Sequence, residues 1–496
     1  MHDLLAIDRL TSLDSAFVRL EAHNAHMHVG WVSRIELPPA PLEPMVTVLR
    51  RQITRRLHLV PRFRQRLAVA PGGIAEPAWV DDPTFSIERH VTLHSGEGPL
   101  DTVPSAEGPL DERELQLVCD EFLSRPLDRS RPLWEVLVIP RLGGDGREAA
   151  VVGKVHHALV DGVAAVELGM LLFDVEPDEP RVEDEHPPPW SPSPPPPPLR
   201  LAVDAVVDSA TQQFRAARSA ARLGLTPGRG LRVANSLRRA AMTLAEDALS
   251  PAPASYLNRE ISARRALTTA RVDMERLQRI KRRHEVKLND VVLCVAAGAL
   301  REVAASAGER PEELRVMVPV SVRGEQDPTA SGNRIVFALV DLPVDEARPR
   351  TRLEAIRAAT RQAKEDGRIM DSDLLLRSMG PLPGPVKTQL SRLATSPRLY
   401  NLVISNVPGP ARRLYAGGTP VTEIYPVIPL GPRNSLSIGV LTYAGGAHFA
   451  AHFDPHTLPQ GERLPGMLQR SLRELEGTAR AGRSTAPTGA RSEAVI

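Results

Sequence analysis

VHHALVDGVAAVEL, residues Val155–Leu168, sets two histidines, an aspartate and a glycine among apolar residues. Histidine is the side chain best suited to moving protons near neutral pH. The spacing suits His157 at a strand end and Asp161 on the following turn. Gly162 lets the chain turn sharply into an apolar helix over Val163–Phe173. The imidazole would then face a cleft while the carboxylate fixes the turn. Each part has a plainer reading: a His-His pair can be structural, and a lone Asp161 can cap a helix. The combination His-His-x-x-x-Asp-Gly is far more specific than its parts.

Upstream, Trp134–Ile139 and Ala149–His157 read as strands around the turn PRLGGDGRE, a hairpin-like pair. Met27–Leu37 reads as a strand and Leu42–Leu57 as a helix with basic residues between its apolar ones. Downstream, an acidic stretch and the run PPPWSPSPPPPP at 187–198 interrupt the pattern. Such a run is extended and exposed, so it marks a boundary. Between Ser209 and Arg239 lie seven arginines (215, 218, 222, 229, 232, 238 and 239) and no acid. This tract is either a solvated helix face or a contact for anionic lipid. In the second half, Asn289–Ala305 reads as a helix with Asn289 or Asp290 at its start. Leu314–Val322, Asn333–Leu342, Leu399–Asn406 and Leu436–Tyr443 read as strands.

The whole chain fits this outline. Its 496 residues exceed one ordinary core, so two domains are expected. Aromatic residues make up only 4% and the net charge is +2, which argues against a nucleic-acid stacking platform or a strong cationic field. Cys119 and Cys294 are too few for a disulfide framework or a CxxC metal site, and a reducing compartment fits them best. They lie in apolar helical patterns and read as core residues. No apolar run approaches the roughly 20 residues of a membrane span, and no signal peptide is evident. His448, His452 and His456 could stack on a helix as metal ligands, but Pro455 and a glycine-rich turn favour a strand and loop; no metal is expected there or at His23, His26 and His28.

With the His-His-x-x-x-Asp-Gly motif, the chain resembles the CoA-dependent acyltransferase superfamily. Further segments resemble its bacterial wax ester synthase/diacylglycerol acyltransferase branch: IDRLTSLDSAFVRLE, the box Pro132-Leu133-Trp134-Glu135, LNREISARR (257–265), LNDVVLCVAAGALR (288–301), VMVPVSVR (316–323), GNRIVF (332–337) and ISNVPGP (404–410). Together they cover most of residues 7–475. The resemblance implies an α/β fold of two chloramphenicol-acetyltransferase-like domains, mixed sheets with flanking helices, forming a pseudo-dimer around an interdomain tunnel. The expected divisions are an N-terminal domain at 1–180, a proline-rich linker and basic helical crossover at 181–255, a C-terminal domain at 256–476, and a disordered tail at 477–496.

It also implies transfer of a long-chain acyl group from acyl-CoA to diacylglycerol, with long-chain alcohols as possible second acceptors. His157 would be the general base, a role worth about 10²–10⁴-fold. His156 would support it, and Asp161 would hold the loop against an arginine, for which Arg323 is the candidate. Asn289 is the candidate oxyanion donor, with a helix cap as its plainer role. Pro132, Leu133, Trp134, Asn289, Asp290, Asn406, Pro408 and Gly409 are expected to bind substrate or shape the tunnel. Ser437 stands where many relatives carry asparagine, which puts the role of that position in doubt. Acyl-CoA is a substrate, and no cofactor is implied. Expected partners are the acyl donor, a lipid acceptor and, peripherally, the inner face of a membrane or lipid droplets from the cytoplasm, with no nucleic acid. The alternatives are a carrier-protein-dependent, condensation-type enzyme and a non-catalytic lipid-binding protein.

Overall fold

The computed structural model describes residues 8–39, 43–70, 76–95, 108–159, 169, 171–177, 189–204, 206, 207, 211, 218, 251–322, 334–365, 369, 370, 389 and 396–481. Asp161, Gly162, Arg323, most of the helix expected over Val163–Phe173 and nearly all of the arginine tract lie outside these residues.

The first half runs α1 (Ser12–Leu20), β1 (His28–Glu36), α2 (Met45–Arg56), β2 (Gln65–Ala68), β3 (Ala78–Asp81), α3 (Ile87–His90), β4 (Val91–Leu93), α4 (Glu112–Ser124), β5 (Trp134–Leu142) and β6 (Glu148–His156). The second runs β7 (Ala266–Asp273), α5 (Met274–His284), α6 (Leu288–Ser306), β8 (Leu314–Val322), β9 (Arg334–Leu342), α7 (Pro349–Glu365), β10 (Ile369–Met370), β11 (Leu402–Pro408), β12 (Tyr415–Ala416), β13 (Thr419–Val427), β14 (Leu436–Tyr443), β15 (Gly446–Phe453) and α8 (Leu464–Ala481).

Two mixed sheets carry the fold, in the orders β12-β13-β1-β6-β5-β4 and β10-β9-β8-β11-β14-β15-β7. The first corrects the expected division of the chain. β12 and β13 belong to the second half of the sequence but complete the sheet of the first, with β13 antiparallel to β1. The halves are therefore interlocked by hydrogen bonds. A second correction is at the C-terminus, where α8 runs to Ala481 rather than giving way to a tail at 477. Its last turns, ELEGTARA, are mostly good helix formers.

The β5–β6 hairpin forms as its pattern requires, and β6 also pairs with β1, with His28 opposite His156. Gly153 is needed here. A Cβ at that position would lie 2.0 Å from the Trp31 ring, which crosses β6 there. The other face of β6 carries Lys154, fully buried. Its ammonium donates to the carbonyls of Phe122 (2.9 Å) and Arg125 (2.7 Å), which the end of α4 leaves without helical partners. Burial pushes its pKa down to about 8, opposed by nearby Glu135.

In the second half, α6 is apolar on every side, and Asp290 to Leu300 are all buried, as a central core helix requires. Cys119 in α4 and Cys294 in α6 are buried thiols. The halves also meet through α4 and β7. The Asp120 carboxylate accepts the Leu267 N–H at 2.8 Å, and the Ser124 hydroxyl oxygen accepts that of Arg265 at 2.8 Å. Val118, Phe122, Val152, Leu267 and Ala450 share one apolar cluster across this junction.

Candidate active site

β6 ends at His156, and the chain turns at once. The His157 N–H donates to the Met27 carbonyl at 2.9 Å, and the His156 N–H donates to that of Leu133 at 2.9 Å. The histidine pair is thus held between the start of β1 and the start of β5. From Val151 to Leu159, His157 alone is not buried. Its ring stacks on Phe17 of α1, with centroids 3.8 Å apart and planes 14° from parallel. Its Nδ1 is enclosed without a hydrogen bond. Burial pushes the His157 pKa down to about 4, against a smaller opposing effect of its own backbone. The imidazole is therefore neutral at physiological pH, the form a general base needs.

His156 is 1% exposed. Its Nδ1 accepts the Ala158 N–H at 3.0 Å, closing the turn from within. Its Nε2 faces Glu21, with Oε2 at 3.7 Å. Burial pushes its pKa down to about 3, with His157 and Arg129 adding to the effect. Glu21 and Arg129 had no local signal in the sequence beyond the four-residue spacing of Phe17 and Glu21.

The box Pro132-Leu133-Trp134, expected to bind substrate or shape the tunnel, is buried under this turn. Leu133 and Trp134 are 1% and 2% exposed. Leu133 supplies the carbonyl that fixes His156. The Trp134 indole N–H donates to the Phe63 carbonyl at 2.8 Å, and its ring stacks on His90.

In the other half, the structure brings together two expected site residues that lie far apart in sequence. Asn289, in the first turn of α6, accepts a hydrogen bond through Oδ1 from Asn406 Nδ2 of β11 at 3.3 Å. Both are partly exposed. The bond occupies the Asn289 carbonyl and leaves its amide N–H groups to donate elsewhere. Among the described residues, no hydrogen bond joins this pair to His157. Just beyond Asn406, Pro408 is exposed and Gly409 donates its N–H to the Thr442 carbonyl at 3.0 Å. A Cβ on Gly409 would lie 2.5 Å from that oxygen, so only glycine lets the strands approach there.

Two further expected site residues are buried and hydrogen-bonded within the protein. Asp290 is 3% exposed and accepts from the Lys287 N–H (2.9 Å) and the Thr360 hydroxyl (2.8 Å). Its carboxylate is consumed in starting α6 and tying it to α7. Ser437 is 1% exposed and donates its hydroxyl to the Ile428 carbonyl at 2.8 Å, so that donor is not free for a substrate. His448 and His452 lie on strand β15 and His456 in the turn after it. No cluster of three or more metal-ligating side chains occurs among the described residues.

Comparison with known proteins agrees with this architecture. The family model for the wax ester synthase/diacylglycerol acyltransferase catalytic domain matches residues 10–292, and that for the C-terminal domain of the same family matches 331–476. The chain is 30% identical to a Mycobacterium tuberculosis protein named as a probable diacylglycerol O-acyltransferase, over 98% of this chain and 99% of that one. Among solved structures, the wax ester synthase/diacylglycerol acyltransferase of Marinobacter aquaeolei VT8 is 26% identical, with a TM-score of 0.66, over 95% of this chain and all of the other. The first condensation domain of the CDA synthetase, 18% identical with a TM-score of 0.54 and 96% of each chain covered, shares the fold.

Proposed function

The chain belongs to the wax ester synthase/diacylglycerol acyltransferase family, and from that premise we propose that it moves a long-chain acyl group from acyl-CoA to the free hydroxyl of diacylglycerol, with long-chain alcohols as second acceptors. It is an acyltransferase. The observation that carries the reading is His157: a neutral imidazole on a partly exposed residue just past the end of a buried strand, held flat against Phe17.

In this mechanism His157 takes the proton of the acceptor hydroxyl as its oxygen attacks the thioester carbonyl carbon. The carbonyl π electrons move onto oxygen in a tetrahedral intermediate. Asn289, its own carbonyl engaged by Asn406, donates an amide N–H to that oxyanion. When the intermediate collapses, the C–S bond breaks, and the imidazolium returns its proton to the departing thiolate. Ester and CoA leave, and the base is restored. The scheme needs no metal or other cofactor.

A lipid acceptor also requires contact with the surface that holds it. No helix among the described residues is long and apolar enough to cross a membrane. Residues 198–204, just past the proline run, are helical, and Leu199, Val203, Val206 and Val207 are all at least 52% exposed. They recur at helical spacing beside Arg200 and immediately before the arginine tract. An apolar stripe next to basic residues suits the interface of an anionic bilayer or lipid droplet on its cytoplasmic side. In vesicle flotation, the protein should float with anionic vesicles and not with neutral ones. Equal binding to both would overturn the electrostatic part of this reading.

The function is tested by CoA release from a long-chain acyl-CoA, with diacylglycerol and hexadecanol offered in parallel and the lipid products resolved. Triacylglycerol formation that is lost in His157→Ala is expected. Wax ester as the main product would move the acceptor to the alcohol. Absence of any histidine-dependent product would favour a carrier-protein donor or a non-catalytic lipid-binding role.

A further inference from the structure

One end of α1 meets both histidines. Phe17, in its last turns, supplies the ring stacked on His157. Glu21 follows as the C-cap, its N–H donating to the Phe17 carbonyl at 3.0 Å. Residues four apart share a helix face, so the two side chains emerge together. The Glu21 carboxylate is anchored by Arg129, whose Nε donates to Oε2 at 2.7 Å and whose Nη2 donates to the same oxygen. Arg129 Nη2 also donates to the Val18 carbonyl at 3.1 Å, at the end of α1 where carbonyls lack helical partners. A single guanidinium thus ties the helix end and the carboxylate together.

The tautomer of His156 follows from its other nitrogen. Nδ1 accepts the Ala158 N–H, so it holds a lone pair, and in the neutral ring Nε2 must carry the proton. That N–H is buried and makes no hydrogen bond of normal length. Buried donors rarely go without an acceptor. The group facing it is the Glu21 carboxylate, at 3.7 Å. The gap exceeds a hydrogen bond, so the attraction is that of a carboxylate for the positive end of an N–H dipole. Burial pushes the Glu21 pKa up, and Arg129 opposes this, favouring the charged form.

We propose that Glu21, held by Arg129, is a positioning residue for acyl transfer. It fixes His156 as the Nε2–H tautomer, so that His156 Nδ1 clamps the Ala158 N–H and holds the turn presenting His157. The inference rests on His157 being the general base. In the opposite tautomer, a protonated Nδ1 would confront the Ala158 N–H, donor against donor, and the turn would have to move. A displacement of order 1 Å at a reacting group costs about 10²-fold in rate.

Wild-type protein, Glu21→Ala, Glu21→Gln and His157→Ala are compared by steady-state kinetics and by nitrogen NMR of labelled histidines, with His156 assigned from its own substitution. The wild type should show His156 with an unprotonated Nδ1 and a protonated Nε2. Glu21→Ala should lose that single tautomer, and its kcat should fall about 10²-fold with KM for acyl-CoA little changed. Glu21→Gln, whose amide oxygen can still accept, should restore both. Retention of the tautomer and of kcat in Glu21→Ala would overturn the proposal, as would a kcat that falls only in step with the folded fraction. Undiminished turnover by His157→Ala would instead overturn the general-base reading, while the NMR comparison would still report on Glu21 and His156.

Discussion

Both halves of the molecule place a pair of histidines at or within a strand, and the two pairs are held differently. His156 closes β6 and His157 follows it, whereas His448 and His452 lie within β15. His452 is 2% exposed, and its Nδ1 pairs with the Ile428 carbonyl at 2.7 Å, an oxygen that also accepts from Ser437. His448 is 1% exposed and wedged between Tyr425 and Tyr443. Burial depresses the pKa of all four. What separates His157 is its place one residue beyond the last strand pairing. A strand interior turns its side chains into packed faces, while a strand end can leave one ring on the edge of a cleft. Neutral, buried histidines are thus common in this fold, and the proposed base is the one placed where the backbone stops being a strand.

The same kind of substitution at the two places tests the contrast most severely. His157→Ala should lower kcat by about 10²–10⁴-fold and leave the melting temperature nearly unchanged. His452→Leu should do the reverse. It removes a buried hydrogen bond worth about 1 kcal/mol, though Ile428 keeps Ser437 as a donor, and turnover should remain close to wild type. Enzyme kinetics and thermal unfolding of both variants decide it. A large loss of turnover in folded His452→Leu would erase the distinction between the pairs.

The difference between the pairs was partly legible in the sequence. His-His-x-x-x-Asp-Gly is contiguous, and its alternating strand and turn residues read directly. β8 and β14 likewise run over the residues that their patterns indicate, because alternation and turn chemistry are local. The supports of the site are not local. Glu21 meets Arg129 across 108 positions, and Asn289 meets Asn406 across 117. Nothing within residues 415–427 says that β12 and β13 leave their own half to complete the other sheet, since pairing partners are chosen by the packed whole. The internal hydrogen bonds of Asp290 and Ser437 were hidden for the same reason: a short polar residue looks identical in sequence whether it faces a substrate or a buried group.

A second contrast, smaller in effect, lies between Asn289 and Ser437. Each offers a hydrogen-bond donor, but the Ser437 hydroxyl is spent on Ile428, whereas the Asn289 amide N–H groups are left over by its bond to Asn406. Asn289→Ala should therefore lower kcat by about 10²-fold, the usual cost of an oxyanion donor. Asn406→Ala should cost less, since it frees the Asn289 amide to rotate without removing it. Ser437→Ala should leave kcat unchanged. Steady-state rates at saturating acyl-CoA check all three, and an unaffected Asn289→Ala would reduce that residue to a helix-start role.

The smallest effect is in the pH dependence of stability, which the two pairs share. Burial lowers His26 and His157 to about 4, His156 and His452 to about 3, and His28 well below its ordinary 6.5. Above pH 6.5 these rings are neutral in folded and unfolded chains alike, so their contribution is fully present. As the pH falls below 6.5, the unfolded chain takes up protons that the folded one refuses, and stability is lost at about 1.4 kcal/mol per pH unit for each ring. Asp120 works the other way. Burial raises its pKa to about 8, so its contribution grows as the pH falls from 8 toward 3.8, and with Glu21, also raised by burial, it offsets only part of the loss from the five histidines. Urea midpoints measured from pH 7 to pH 5 should therefore fall with acid. His452→Leu should flatten that slope by about one proton's worth. His157→Ala should flatten it by about the same amount, because pKa values of about 4 and about 3 both lie below the pH 5 end of the range and keep either ring neutral in the folded chain.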